Sequence, residues 1–274
     1  MASLAVVTPE QVLLHDKRAL VTGAARGIGR ATAEALAAFG ARVALCDRLS
    51  DELDHTAESI AAVGCDPPTA VLDVRDGDAV GEFVGELGTH WGSLDILVNN
   101  AGGGFVAEAL EVSRNGRQAL IAENFTQVLD VTARCVPLMS GGGSVVNITS
   151  IEAHRAGPGF GIYSAMKAAV ENLTRTLALE LADRRIRVNA VAPDMIPTPG
   201  DEELAQQVGA MAAASEWEMT PWPDRGRPED VAGAVVWLCS PMSSFVTGTT
   251  VHVDGGTSAA SGWRRRVGAS NWEL

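Results

Sequence analysis

The chain has 274 residues, 46% of them apolar and 20% charged, with a formal net charge of −13. That length accommodates one large α/β domain or two small ones, with enough apolar residues to cover both faces of a sheet. The acidic balance argues against a nucleic-acid-binding surface, because phosphate is repelled by a negative field, yet it leaves room for a local nucleotide pocket.

Lys17 to Thr22 reads as a short apolar strand that runs into Thr22-Gly-Ala-Ala-Arg-Gly-Ile-Gly29, and a helical pattern from Ala31 to Phe39 stops at Gly40. Strand, Gly-rich turn and helix form a dinucleotide-binding crossover. Gly23 permits the tight turn, Gly27 lets the backbone approach a pyrophosphate, and Gly29 allows close helix–strand packing. The helix start around Arg26, Gly27 and Ile28 presents free N–H groups to phosphate. Arg42 to Asp47 is the second strand. Asp47, eighteen residues after Gly29, is placed to accept hydrogen bonds from the adenosine ribose and to repel a 2′-phosphate, which favours NAD over NADP. Arg48 and Arg26 stand nearby as possible 2′-phosphate partners, and Asp47 taken alone is also an ordinary strand-end charge.

A helix from about Ser50 to Val63 and a strand from Thr69 to Asp73 follow. The next helix, Asp76 to about His90, has a core stripe of Phe83, Val84, Leu87 and Trp91. Leu94 to Asn99 is the fourth strand. It leads into Asn99-Asn100-Ala101-Gly102-Gly-Gly104, a Gly-rich exit at the carboxyl end of the sheet, where a cofactor is expected. Asn99 is expected to tie neighbouring strands through their backbone groups. One long helix is predicted from about Asn115 to Met139, with an apolar stripe at Ala122, Phe125, Val128 and Leu129. Asn124 interrupts that stripe, either as a solvated residue or as a kink or water-binding point beside the site.

Val145 to Thr149 is a buried strand ending at Ser150, and a helix runs from Ile162 to Leu181. Tyr163 and Lys167 lie one turn apart on one face of that helix. A tyrosine titrates near pH ~10, too high for an efficient general base at neutral pH, and a neighbouring ammonium lowers that value. The Ser150 hydroxyl can hold a carbonyl or alcohol oxygen at the same point. Tyr163 is the only tyrosine, and Lys167 is one of two lysines against nineteen arginines. The pair by itself is also compatible with a packed tyrosine and a solvated lysine.

Ile186 to Val191 is the sixth strand, and the Pro193 to Gly200 segment follows. A lid is expected over about 194–224, carrying Met195, Met211, Trp217, Met219 and Trp222; these residues suit a bulky apolar substrate or plain core packing. Arg227 to about Cys239 is a helix with Pro in its first turn, and Val246 to Val253 is the seventh strand. The tail, 257–274, is expected to pack on a neighbouring subunit or to be loose.

Cys46, Cys65, Cys135 and Cys239 are far apart, without a C-x-x-C or a Cys/His cluster. Neither a disulfide framework nor a metal site is expected, and reduced thiols fit a cytoplasmic location. Cys46 and Cys239 sit in apolar runs and are expected in the core. The first residues lack a basic, then apolar, signal-peptide pattern. No apolar run reaches the ~18 residues of a membrane span. Strand-like and helix-like runs alternate without a linker, so a single domain over 1–274 is expected.

Taken in order, Thr22-Gly-Ala-Ala-Arg-Gly-Ile-Gly29, Asp73, Asn99-Asn-Ala-Gly102, Asn124, Ser150, Tyr163-Ser-Ala-Met-Lys167, Arg187-Val-Asn-Ala-Val-Ala-Pro193 and Val253-Asp-Gly-Gly256 resemble the short-chain dehydrogenase/reductase family. The resemblance covers about Arg18 to Gly256. It implies a Rossmann-type doubly wound α/β fold with a seven-stranded parallel sheet, order 3-2-1-4-5-6-7, and helices on both faces. It implies a nicotinamide cofactor and a catalytic set of Asn124, Ser150, Tyr163 and Lys167. By the same resemblance Asp73 and Val74 contact the adenine, and Pro193, Ile196 and Thr198 hold the carboxamide side. A homotetramer, or a dimer, is implied, with a small-molecule alcohol or ketone as the partner and no membrane. The chain departs from the family at Asp194, where Gly is usual, and at Glu152 and His154, where small or apolar residues line the substrate pocket. Glu152 and His154 either read a polar substrate group or form a solvated loop pair. The activity expected is NAD(H)-linked interconversion of a secondary alcohol and a ketone. An NADPH-linked 3-oxoacyl-thioester reductase and a non-catalytic nucleotide-binding protein are the alternatives.

Overall fold

The computed structural model describes residues 6–200, 218 and 220–274; of the residues expected in the lid, Met211, Trp217 and Met219 lie outside them. Seven strands are β1 (Arg18–Thr22), β2 (Arg42–Asp47), β3 (Thr69–Val71), β4 (Ile96–Asn99), β5 (Gly143–Ile148), β6 (Ile186–Pro193) and β7 (Thr250–Val253). They pair all-parallel in the order β3-β2-β1-β4-β5-β6-β7, as the resemblance implies. The helices are α1 (Gly27–Ala38), α2 (Ser50–Ala61), α3 (Gly77–Trp91), α4 (Arg114–Ile121), α5 (Gln127–Cys135), α6 (Gly161–Glu180), α7 (Pro228–Cys239) and the short α8 (Thr257–Ala260).

Alternation along each strand builds two cores. Ala19, Val21, Val43, Leu45 and Val98 point to one face, under α1, α2 and α7. Leu20, Ala44, Cys46, Leu97 and Val145 point to the other, under α3, α5 and α6. A parallel sheet covered on both faces needs apolar residues at every position, which is why these strands read as continuous runs. Each fully buried Leu or Val contributes about 1.5–3 kcal/mol relative to exposure. Cys46, Cys135 and Cys239 are buried and Cys65 is partly exposed, all four as free thiols. Burial pushes the Cys135 and Cys239 thiols up to about 12, and it raises Cys46 in the same way.

Three elements differ from expectation. The seventh strand starts at Thr250, because Val246 to Thr249 spend their polar groups on β6: Gly248 N–H donates to Val188 O, and Asn189 Nδ2 to Val246 O. The long helix is interrupted by a π-turn at Ala122–Thr126 and ends at Cys135. The tail packs on its own chain. Arg264 and Glu273 form an antiparallel bridge, Glu218 N–H donates to Arg265 O, and Arg265 Nη2 donates to Pro221 O. No helix among the described residues is long and apolar enough to cross a membrane.

Candidate active site

The carboxyl ends of β1, β2, β4, β5 and β6 open on one cleft of about 960 Å³. Every residue assigned to catalysis or cofactor binding from the sequence lines it, except Asn124, which is fully buried behind it. The glycines of the first turn leave no room for side chains. A Cβ on Gly23 would stand 2.8 Å from Ala101 Cα, one on Gly29 would collide with the Gly23 carbonyl, and Gly27 has φ +58°. α1 starts at this point with no side-chain cap and no acid in its first turn. Its free N–H groups and positive dipole end therefore face open space, which suits a pyrophosphate.

The Gly-rich exit of β4 is pinned from two sides. Thr22 Oγ1 accepts from the Asn100 and Ala101 N–H groups, each at 3.1 Å. Asn100 Nδ2 donates to the carbonyls of Thr22 and Gly23 at 3.1 and 2.9 Å. The backbone tie expected of Asn99 is thus made by Asn100. Asn99 instead donates to the side chains of Asn147 and Thr132, at 2.8 and 3.0 Å. From the far side Gln127 Nε2 donates to Ala101 O at 2.9 Å. Gln127 is a supporting residue that the apolar stripe concealed; its only signal is a polar side chain three positions after Asn124.

At the end of β2, Asp47 accepts from Ala25 N–H at 3.0 Å and Leu49 N–H at 3.1 Å, one bond to each oxygen. A carboxylate has about four acceptor sites, so capacity remains toward the cleft. Arg48 lines the same end. Asp73 is engaged by Arg75, whose Nε and backbone N–H both donate to Oδ1 at 2.9 Å; that bonding holds its carboxyl below the usual carboxylate range.

The residues expected to transfer protons converge from β5, α4–α5 and α6. The chain leaves β5 through Ser150, whose Oγ accepts from Glu152 N–H at 3.2 Å and caps a short 3₁₀ turn, Ile151–Ala153. Tyr163 and Lys167 rise from the first turns of α6, with Lys167 Nζ 5.5 Å from the Tyr163 ring centroid. Lys167 is 5% exposed and donates to Ile148 O at 3.0 Å. Burial lowers its pKa to about 8, with Glu123 acting in the opposite sense. Asn124 sits in the π-turn. Its Nδ2 donates to Gly103 O and Leu120 O, and its Oδ1 accepts from Gly103 N–H. Of the two readings of this residue, the solvated one is excluded. A Cβ on Gly102 would meet both Asn124 Oδ1 (3.1 Å) and Lys167 Nζ (3.2 Å), so the two polar groups flank one glycine.

Glu152 and His154 separate. Glu152 lines the cleft, with Phe105, Phe160, Met195 and Asp194. His154 turns away, 2.7 Å from the buried Glu171, with its ring 4.5 Å from that of His252. Arg155 bridges Glu152 and Asp194 at 2.8 and 3.4 Å. Burial raises the Asp194 carboxyl, and Arg155 opposes that shift.

A doubly wound parallel sheet with a glycine cradle at the first helix and a Ser, Tyr, Lys cluster at the cleft defines a nicotinamide-dependent oxidoreductase. The family profile described as Enoyl-(Acyl carrier protein) reductase matches residues 23–258. Over 246 residues the chain is 41% identical to an uncharacterized oxidoreductase of Mycobacterium tuberculosis, covering 89% of this chain and 92% of the other. It is 38% identical over 245 residues to the 3-oxoacyl-(acyl-carrier-protein) reductase of Thermotoga maritima, covering 89% and 98%. The structure of 7α-hydroxysteroid dehydrogenase complexed with NADH and 7-oxo glycochenodeoxycholic acid matches with a TM-score of 0.85 at 30% identity, over 92% of this chain and 98% of that one. The chain belongs to the short-chain dehydrogenase/reductase family. It is an NAD(P)-dependent enzyme acting on CH–OH groups.

Proposed function

We propose that the enzyme uses NAD(H) and interconverts a secondary alcohol and its ketone on a bulky, largely apolar or cyclic substrate. The observation that carries this reading is the placement of Ser150, Tyr163 and Lys167 on one wall of a cleft whose other end holds the Asp47 carboxylate. Asp47 supports NAD, since its remaining acceptor capacity suits ribose hydroxyls and its charge repels a 2′-phosphate. Phe105, Phe160 and Met195 in the cleft support an apolar substrate face.

The cofactor supplies a hydride acceptor, or donor, when bound. The α1 start and the 100–102 segment hold its phosphates and ribose, and Asp73, Val74, Pro193, Ile196 and Thr198 border its two ends. Ser150 Oγ holds the substrate oxygen by a hydrogen bond. Tyr163 takes the hydroxyl proton in oxidation and returns it in reduction. The Lys167 ammonium beside the ring favours the phenolate form. Asn124 fixes the backbone at Gly103 and provides the water-binding point through which Lys167 exchanges protons with solvent. Asp194, Met195, Ile196 and Thr198 border the cleft of what reads as a single domain. Leu129 on α5 and Leu179 on α6, 40% and 80% exposed, support assembly as a homotetramer or dimer through those helices. Four free thiols support a cytoplasmic setting.

One observation favours a second reading, an NADPH-linked 3-oxoacyl-thioester reductase: Arg26 and Arg48 line the adenosine end beside Asp47, and the Thermotoga relative carries that name. A screen of alcohols and ketones with both cofactors, read at the nicotinamide absorbance, separates the two. Tyr163→Phe is expected to lower turnover about 10²–10⁴-fold while NADH binding, followed by fluorescence, stays within a few-fold of wild type. Turnover near the wild-type rate in that variant overturns the assignment.

A further inference from the structure

Glu171 is a buried carboxylate that the hydride chemistry does not use. It lies on α6 one turn past Lys167, on the face that also carries Tyr163. That face is bonded to the end of β5 in register. Thr174 Oγ1 accepts from Asn147 Nδ2 at 2.9 Å, Lys167 Nζ donates to Ile148 O at 3.0 Å, and Glu171 Oε1 accepts from Thr149 Oγ1 at 3.1 Å. The residue that follows these three is Ser150.

Beyond Ser150 the chain returns to the same oxygen. His154 Nε2 stands 2.7 Å from Glu171 Oε1, and the glutamate side chain is 4% exposed. A carboxylate oxygen accepts, so the imidazole N–H donates. The ring of His252, on β7, backs that of His154 at 4.5 Å between centroids. Glu171 thus holds the chain on both sides of Ser150, at Thr149 and at His154.

The bonds inside the turn have a different effect. Ser150 O accepts from Ala153 N–H, Ser150 Oγ from Glu152 N–H, and Ile151 O from His154 N–H. They fix the shape of the turn, not its place against α6. Arg155 ties the turn to Asp194, just past β6, and not to α6. An apolar side chain at 171 would pack the same face without the desolvation cost of a carboxylate. What Glu171 adds is direction: it locks the loop that carries Ser150 to the helix that carries Tyr163.

We propose that Glu171 is a positioning residue for the reaction, acting through Thr149 and His154 to set the distance between Ser150 Oγ and the Tyr163 hydroxyl. The proposal rests on the reading of Ser150 and Tyr163 as the residues that hold the substrate oxygen and move its proton, and it deepens that reading. A misplacement of about 1 Å in such a geometry can cost ~10²-fold in rate.

The test follows single turnovers of the NAD complex with the fastest alcohol of a panel that includes cyclohexanol, menthol and borneol. Glu171→Leu is expected to slow hydride transfer about tenfold, with the NADH dissociation constant, read by fluorescence, within about twofold of wild type. In a Ser150→Ala background the same substitution is expected to cost less than about twofold, because no hydroxyl is left to position. A merely structural role would lower the urea midpoint and leave the rate of the folded enzyme unchanged. Glu171→Gln keeps an acceptor and His154→Gln keeps a donor, so both are expected to retain most of the rate, whereas His154→Leu loses it. His154 is 32% exposed, so its variants keep the test valid if Glu171→Leu does not fold. An unchanged rate in the Leu variants, an equal loss in both backgrounds, or a loss confined to cofactor affinity overturns the proposal and leaves the roles of Ser150 and Tyr163 standing. Turnover of Ser150→Ala at the wild-type rate overturns the Ser150 role and the proposal together. So does the absence of NAD-linked turnover with every alcohol and ketone in the wider screen.

Discussion

Lys167 donates a hydrogen bond to the main-chain carbonyl of Ile148 at 3.0 Å while its ammonium stands 5.5 Å from the centre of the Tyr163 ring. The end of β5 thus fixes the cation beside the tyrosine. Placing that charge in a buried position has an energetic cost that pH can expose.

Folded Lys167 releases its proton near pH 8, whereas the ordinary value for a free lysine is 10.5. Between those values the unfolded chain binds more protons, so this residue makes the apoprotein gain stability as pH rises through the window. Below it the full burial cost is present. Lys167→Met removes that cost: the variant is expected to lose turnover and to melt a few degrees above wild type at pH 7. The gap should close as pH approaches about 10.5. Calorimetry on both proteins across pH checks this, and a gap that widens with pH contradicts it.

Asp47 holds the backbone at Ala25 and Leu49 and, in the proposed reading, selects the cofactor; one substitution tests both by separate measurements. Wild type is expected to prefer NADH over NADPH in kcat/KM, and Asp47→Ala to narrow that ratio by about tenfold or more. The same change strands the N–H groups of Ala25 and Leu49, at a cost of about 1–3 kcal/mol in urea unfolding. Preference for NADPH in wild type would show that Arg48 and Arg26 dominate the adenosine end.

Asn124 acts chiefly as a donor, to the carbonyls of Gly103 and Leu120. Asn124→Ala is expected to lose about 1–3 kcal/mol and to raise KM for the cofactor by loosening the segment after Asn100. Asn124→Asp, nearly the same shape, is expected to be worse, because it turns an acceptor toward two carbonyls. Equal stability of the two variants would argue against this account.

Two glycines should respond in opposite directions. Gly29→Ala drives a Cβ into the Gly23 carbonyl and is expected to abolish cofactor binding, measured by NADH fluorescence. Gly85, mid-way along α3, has nothing within 4 Å of a built Cβ. Gly85→Ala is expected to raise stability by about 0.5–1 kcal/mol, read from urea midpoints.

Strand positions, the glycine cradle and the Tyr163–Lys167 face are legible in the sequence because each depends on local spacing along the chain. The helix after Ser113 is not. Its π-turn inserts one residue, so the apolar phase before Ile121 does not continue after Thr126. The stripe read at Phe125 and Leu129 fails for that reason: Leu129 is 40% exposed, while Asn124 and Gln127 are buried. Likewise no spacing announces that His154 pairs with Glu171, or that Arg155 joins Glu152 to Asp194. Those contacts join positions 17 and 39 residues apart, through loops whose paths tertiary packing decides.

The distribution of thiols has a practical consequence. Three of the four are sealed in the two cores with their ionisation suppressed, and Cys65, between α2 and β3 at the edge of the first core, alone is partly exposed. A maleimide fluorophore at neutral pH should therefore load one dye per native chain without engineering. That label would turn unfolding of either core into a rise in dye stoichiometry, a direct optical count of core opening.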